Sequence, residues 1–197
     1  MNLFRLALFV LISGLAFSQE VPAGTVIPVK LDSGLDAKKD KAGKGVKGKI
    51  MQEVLLPSGG KIRKKSEIRG HVISVTNAGS SGSRIILRFD TIQDYERIIP
   101  VRAALLALAS TRNTWLHRQS VVKLTPSPEA GCPARPGYER EQAVWIFSAA
   151  ACGAYRLGRV KIASSGAISS VGEIQLTSSG NLALHGSTAW LLIVTSD

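Results

Sequence analysis

The sequence predicts a mainly β protein: an antiparallel sheet or small β-barrel followed by a C-terminal β-meander, with little helix apart from an N-terminal signal peptide. Short runs rich in valine and isoleucine recur along the chain, apolar and polar residues alternate within several of them, and glycine, serine and proline turns separate them. The expected organisation is a signal peptide at 1–18, a barrel-like domain at 19–110, an irregular linker at 111–142 and the meander at 143–197. Whether the meander packs on the first sheet or forms its own unit is left open by the sequence.

The first 18 residues have the pattern of a secretory signal peptide. Arg5 precedes an apolar run over residues 6–12, and Ala16 and Ser18 place small residues at the positions required for cleavage before Gln19. A membrane anchor and an N-terminal core helix are the alternatives, but the apolar run is far shorter than the roughly 20 residues that span a bilayer. We therefore expect an exported protein, either periplasmic or extracellular.

The predicted strands of the N-terminal part are rich in β-branched residues and end at turn signals; they cover 25–31, 46–56, 61–63, 67–76, 84–92 and 98–101. Pro28 cannot donate a ladder hydrogen bond, so the first strand is expected to lie at a sheet edge or to be interrupted there. Ile85, Leu87 and Phe89 share one face, which predicts a buried side for their strand. Residues 103–109 are rich in alanine and leucine and predict either a short helix or an extended covering segment.

The predicted C-terminal strands cover 143–147, 158–162, 172–176, 181–184 and 189–194, with turn signals between them. Residues 111–142 hold four of the eight prolines and show little periodicity, which is typical of a linker or long surface loop. Trp190 lies in the last apolar run, so we expect its side chain in the core.

The strongest charge feature is a basic segment between residues 37 and 69. The chain has 25 Lys and Arg residues against 14 Asp and Glu residues, and this segment alone holds eleven basic and three acidic ones. Such an excess attracts anionic partners. The candidate anion-binding residues lie in or beside its two lysine-rich loops: Lys38, Lys39, Lys41, Lys44, Lys47, Lys61, Arg63, Lys64 and Lys65.

Export would make acidic envelope polymers or lipid head groups the anionic partners of this segment, and a solvated face that aids solubility is the alternative. No aromatic residue lies between Gln19 and Arg88, whereas single-stranded nucleic acids usually stack their bases on aromatic rings. Nucleic acid is therefore disfavoured.

Cys132 and Cys152 predict a disulfide if the chain is exported, two free buried thiols or half of a metal site being the alternatives. The three histidines have no ligand spacing to either cysteine. The sequence has no Gly-x-Ser-x-Gly elbow, phosphate-binding loop or cleft-forming pair of carboxylates. We therefore predict no catalytic site, no metal and no cofactor, with a cell-wall or polysaccharide hydrolase as the enzymatic alternative.

Two parts of the chain resemble known proteins. The run 22–31, the Lys/Gly loop after it, the strand ending at Glu53-Val54 and the return into Ile68-Arg69-Gly70 resemble the start of the periplasmic β-barrel domain of TrbI-like type IV secretion channel subunits. Residues 58–66 lack the Ile-Pro-x-Gly pattern of that family's hairpin. The resemblance implies a barrel and, as an alternative function, a place in a secretion or DNA-transfer assembly. Residues 145–155 resemble small exported bacterial proteins of unknown function, which implies a β fold and supports the Cys132–Cys152 pair.

These observations together predict an exported, non-catalytic binding or scaffolding protein of the cell envelope. Its lysine-rich face would contact anionic partners, and the sequence names no protein partner or oligomeric state.

Overall fold

β-Strands make up nearly all the regular structure in the part of the chain that the structure describes. The computed structural model describes residues 20–77, 79–110, 153–155, 157, 159–162 and 172–196. Within these ranges the chain forms fourteen strands and one short 3-10 helix, Gly79–Ser81. The predicted mainly β class is thus confirmed. The same ranges contain no helix long and apolar enough to cross a membrane.

The strands, numbered in chain order, are β1 (Val26–Leu31), β2 (Leu35–Asp36), β3 (Gly45–Ile50), β4 (Val54–Leu55), β5 (Lys61–Ile62), β6 (Glu67–Asn77), β7 (Ser83–Asp94), β8 (Arg97–Pro100), β9 (Ala103–Ser110), β10 (Gly153–Tyr155), β11 (Val160–Ile162), β12 (Glu173–Ser178), β13 (Ala183–Leu184) and β14 (Thr188–Val194). The predicted strand 46–56 is therefore two strands, since the chain breaks the ladder after Ile50.

Ten of these strands form one large sheet. Its order is β10-β9-β14-β1-β3-β6-β7-β12-β11, and β8 pairs with β7 beyond the end of β12. Neighbours are antiparallel except β10 and β9, which are parallel. The two ends of the order, β10 and β11, lie close together. The sheet therefore curves into a nearly closed barrel, while β2–β13 and β4–β5 form small two-stranded sheets.

The C-terminal strands complete the N-terminal sheet and do not form a separate one. β11 pairs with β12, but β12 continues to β7, and β14 lies between β1 and β9. All seven residues of β14 are buried, because it has a neighbour on each edge and apolar side chains on both faces. The C-terminal strands were expected to pair in sequence order as a meander. Among the described strands only β11 and β12 do so, and β12 and β14 also pair with strands that are distant in the chain.

The interior of the barrel holds the main apolar core. Ile85, Leu87 and Phe89 are fully buried within it, as their alternation predicts. The rings of Phe89 and Trp190 meet edge to face with their centroids 6.1 Å apart, an arrangement that aromatic pairs favour. The core position predicted for Trp190 is confirmed.

Residues 103–109, for which a short helix was the first alternative, form a strand that is buried on both faces. β9 pairs with β14 along its length. Ala103 and Leu108 belong to the main core, whereas Ala104 and Leu106 belong to a second apolar cluster. Because both faces of this strand are buried, its sequence carries no alternation that would distinguish it from a helix. The helix prediction was wrong, and the extended alternative is correct.

Pro28 lies inside the sheet, in a strand with neighbours on both sides. The β1–β3 ladder begins only at Val29, and beyond it the Pro28 carbonyl accepts a hydrogen bond from Met51 N at 2.9 Å. The ring nitrogen therefore lies where the ladder has already ended. The expected edge position is therefore wrong, and β1 itself runs unbroken from Val26 to Leu31; only its ladder with β3 ends beside Pro28.

Candidate anion-binding surface

The outward face of β3 and β6 carries a row of basic side chains. In β3 the buried residues Val46, Gly48 and Ile50 alternate with Lys47 and Lys49. The register places Lys47 opposite Arg69 of β6 and Lys49 opposite Glu67. Because side chains alternate along a strand, the apolar residues of β3 point into the barrel and its lysines point outward.

Glu67 is shared by two of these cations. Its Oε2 lies 2.6 Å from Lys49 Nζ and its Oε1 lies 2.6 Å from Arg69 Nε. Lys49 first, and then Arg69, stabilise the carboxylate and lower the pKa of Glu67 to about 2. Lys47 has no acidic partner within 4 Å among the described residues and faces the like charge of Arg69, a pairing that destabilises a sheet.

Two lysines of the loop between β2 and β3 pair with carboxylates in that loop or at the end of β2. Lys44 Nζ donates to Gly34 O and to Asp40 Oδ2, each at 2.8 Å. Asp40 Oδ2 also accepts from the backbone N–H of Asp36 at 2.7 Å, while Lys39 Nζ lies 3.9 Å from Asp36 Oδ2. Lys44 therefore holds the loop together, and its place in the anion-binding set stays a prediction.

The remaining lysines of that loop, Lys38 and Lys41, are exposed on a fixed backbone. Gly43 N donates to Val72 O at 2.8 Å, and Val72 N donates to Lys44 O at 2.9 Å, which anchors the loop to β6. The backbone N–H of Lys38 is the largest cause that lowers the pKa of Asp36. In the described part of the chain neither lysine side chain forms an ion pair.

The turn between β5 and β6 lies at the opposite end of β3. Lys65 N donates to Ile50 O at 2.8 Å, and Lys65 adopts a left-handed conformation with φ 74°. Lys64 and Lys65 are exposed and have no ion pair with any described residue. Lys61 differs, because its Nζ lies 3.0 Å from Glu53 Oε2.

The loop and the turn are thus separated by the length of β3, about 17 Å for six residues. We call the exposed cations along this line the basic band; it consists of Lys38, Lys41, Lys47, Lys49, Arg69, Lys64 and Lys65. Lys49 and Arg69 were not among the predicted site residues, although the alternation in their strands could have placed them beside Lys47. Three other predicted residues flank the band: Lys39 and Lys61 have acidic partners, as Lys49 and Arg69 do within it, and Arg63 stacks over the ring of Tyr95 at 4.3 Å.

A small charged cluster lies beside the band on β6 and β7. His71 Nδ1 is 2.7 Å from Asp90 Oδ2, and Arg88 Nε is 3.0 Å from Asp90 Oδ1. A hydrolytic triad would need a nucleophile at the other ring nitrogen, and no described hydroxyl hydrogen-bonds to His71.

Arg88 and Asp90 also line a cavity of about 270 Å³ with Thr195. No group of three histidine, cysteine or acidic residues suited to a metal ion occurs in the described ranges.

Comparison with models of protein families and with curated proteins finds no match to this chain. The resemblance to the TrbI-like barrel therefore stays a prediction. The signal peptide at 1–18 and both cysteines, Cys132 and Cys152, lie outside the described residues, so export and the disulfide stay predictions as well.

Replacing Glu67 by glutamine is expected to lower the free energy of unfolding at pH 7 by about 1 kcal/mol, the scale of ion pairs that remain partly exposed to water. Because folding lowers the pKa of Glu67 from 4.5 to about 2, the stabilisation is complete above pH 4.5 and is lost as the pH falls towards 2. Urea unfolding at pH 7 and pH 2 measures this. A Glu67→Gln deficit that is equally large at both pH values would contradict the assignment.

Proposed function

We propose that this protein is an exported, non-catalytic β-barrel module that binds anionic surfaces of the cell envelope through the basic band. Its barrel is the rigid scaffold, and the outward side chains of β3 and β6, with the loop and the turn at the ends of β3, form the binding face. Anionic lipid head groups and acidic envelope polymers are the partner classes that this charge suits.

The observation that carries this proposal is the position of Lys47. It is exposed, lies opposite Arg69, and the nearest carboxylate in the register, Glu67, already contacts Lys49 and Arg69. Like charges opposed across a sheet reduce stability, and a face that serves only solubility has no need to place them there. An anionic partner would neutralise Lys47, which has no described carboxylate of its own, and relieve its repulsion from Arg69.

The test is binding of the purified protein to two probes, phosphatidylglycerol vesicles and soluble polyphosphate. The triple variant Lys41→Gln/Lys47→Gln/Lys64→Gln is expected to lose about tenfold or more in affinity for both, since each surface cation contributes about 1 kcal/mol near an anionic surface. Binding of the unmodified protein should weaken steeply between low and physiological salt, because salt screens exposed charges.

The matched control is Arg102→Gln/Arg159→Gln/Lys161→Gln, which removes the same formal charge outside the band. Arg102 lies between β8 and β9, and the other two lie at β11. We expect it to bind nearly as well as the unmodified protein. Equal losses in the two triple variants would show that net charge alone acts, and absence of binding to either probe at low salt would refute the proposed function.

A further inference from the structure

Three large apolar side chains are exposed in the described part of the chain, and all three lie near one end of the barrel. They are Leu55, Tyr95 and Ile98, with 65%, 75% and 67% of their surface accessible. Single exposed apolar residues are ordinary in soluble proteins, but a group at one place indicates an interaction surface. We call this group the apolar tip.

Contacts between the β4–β5 hairpin and the β7–β8 turn bring the tip together. Leu55 pairs with Lys61 in the hairpin. The guanidinium of Arg97, the first residue of β8, donates to Lys61 O at 3.4 Å, and Ile98 follows it in the chain. Arg63, two residues after Lys61, stacks over the ring of Tyr95.

The turn that presents the tip is held by a buried carboxylate. Asp94 is fully buried, accepts a hydrogen bond from Ser66 Oγ at 2.8 Å and pairs with Arg97. Burial alone would raise the pKa of Asp94, but these two partners hold it below its ordinary value, so the anchor stays ionised at neutral pH. Tyr95 follows with φ 56°. A surface fixed in this way has less ordering entropy to lose on binding.

Cations lie on the segments that carry the apolar tip or contact it. They are Lys61, Arg63, Lys64, Lys65 and Arg97, and Lys64 and Lys65 also belong to the basic band. Two exposed acids lie nearby, Glu53, which is paired with Lys61, and Glu96. Exposed apolar side chains inside a basic rim match the two layers of an anionic membrane surface, where head groups meet the acyl chains.

We infer that the apolar tip inserts into the interface of an anionic lipid bilayer while the surrounding cations contact its head groups. An acidic polymer would engage the cations but offers no apolar phase for the three side chains, which favours the bilayer among the partners in the proposed function. This inference rests on that function and selects lipid as its partner class.

The test is the triple variant Leu55→Gln/Tyr95→Asn/Ile98→Thr, which keeps the formal charge. Asparagine tolerates the left-handed conformation at position 95, and threonine suits a strand at position 98. We expect affinity for phosphatidylglycerol vesicles to fall about tenfold or more, since burial of large apolar side chains is lost. Affinity for polyphosphate should stay unchanged, which also verifies that the variant is folded.

A second variant, Tyr95→Trp, keeps an aromatic ring at the tip and adds a reporter. On phosphatidylglycerol vesicles we expect a blue shift of its additional fluorescence and quenching by brominated acyl chains, neither of which polyphosphate should produce. If the indole stays in water and the triple variant binds vesicles normally, insertion is refuted while salt-sensitive binding through the band still stands. If the triple variant loses polyphosphate binding equally, the tip is not lipid-specific and the inference fails. If the unmodified protein binds neither probe, both proposals fail.

Discussion

Replacing Gly70 by alanine is expected to lower the free energy of unfolding by about 3 kcal/mol, a large share of the 5–15 kcal/mol typical of a domain. A methyl group at this position would lie 2.0 Å from Arg88 O and 2.7 Å from the Cα of Phe89. Both are main-chain atoms of β7 and cannot move away without breaking the ladder. Denaturant unfolding followed by circular dichroism measures the change.

Gly45→Ala is the matched control for this substitution. Gly45 lies on the neighbouring strand β3, where it pairs with His71, and a methyl group there would meet nothing within 4 Å. Alanine restricts the unfolded chain, so we expect a small gain in stability, below about 1 kcal/mol. A similar loss in both variants would contradict the steric explanation, as would a Gly70→Ala protein of unchanged stability.

The close approach at Gly70 also shapes the surface around it. The β6–β7 register shifts between Arg69, opposite Thr91, and Gly70, opposite Phe89. Asp90 is the extra residue of this bulge, and its carboxylate contacts His71 and Arg88. Bulges redirect side chains locally. The loss expected for Gly70→Ala should therefore be accompanied by loss of this charged cluster beside the basic band.

Local patterns were sufficient to locate most of the described strands. Alternation placed Ile85, Leu87 and Phe89 on one buried face, and turn signals separated the runs that became β6, β7 and β8. These signals depend on a residue and its near neighbours, since the period of a strand is fixed by its own backbone. Where both faces are buried, as in β9, the period vanishes and the sequence no longer separates strand from helix.

Strand pairing was not predictable in the same way. β14 inserts between β1 and β9, and β12 pairs with β7, so the last part of the chain completes a sheet begun near its start. A run of apolar residues predicts a buried strand but does not indicate which edge of the sheet that strand will join. That choice depends on the shape of the whole barrel and leaves no local pattern.

The charge of the candidate surface was visible in the sequence, whereas the pairing of each cation was not. Lys44 is used to close its own loop, because the fold brings Asp40 and Gly34 O to its ammonium group. Lys47, a few residues away, has no such partner in the described part of the chain. The apolar tip was missed because Ile98 and Leu55 lie in strand-like runs, and such runs predict burial until the barrel shows which ends stay exposed.

Replacing Trp190 by alanine is expected to lower the free energy of unfolding by about 4 kcal/mol, in the range observed for large aromatic residues in cores. Trp190 is fully buried, packs against Phe89 and lies in the central strand β14, where it pairs with Val29 and Leu108. Strands hydrogen-bonded on both edges cannot close over the space left behind, so most of the cavity should persist. Guanidinium unfolding followed by far-ultraviolet circular dichroism measures the loss without relying on the removed fluorophore.

The variant Trp190→Phe distinguishes the contribution of side-chain packing to stability from that of the indole N–H. The indole Nε1 is buried and has no hydrogen-bond partner among the described residues, and such a donor reduces stability in an apolar interior. Phenylalanine keeps a ring against Phe89 and removes that donor, so we expect a loss of only about 1 kcal/mol. If phenylalanine proved as destabilising as alanine, the indole N–H would have to contribute a hydrogen bond of its own. A small loss with phenylalanine beside a large one with alanine would instead identify packing inside the barrel as the source of its stability.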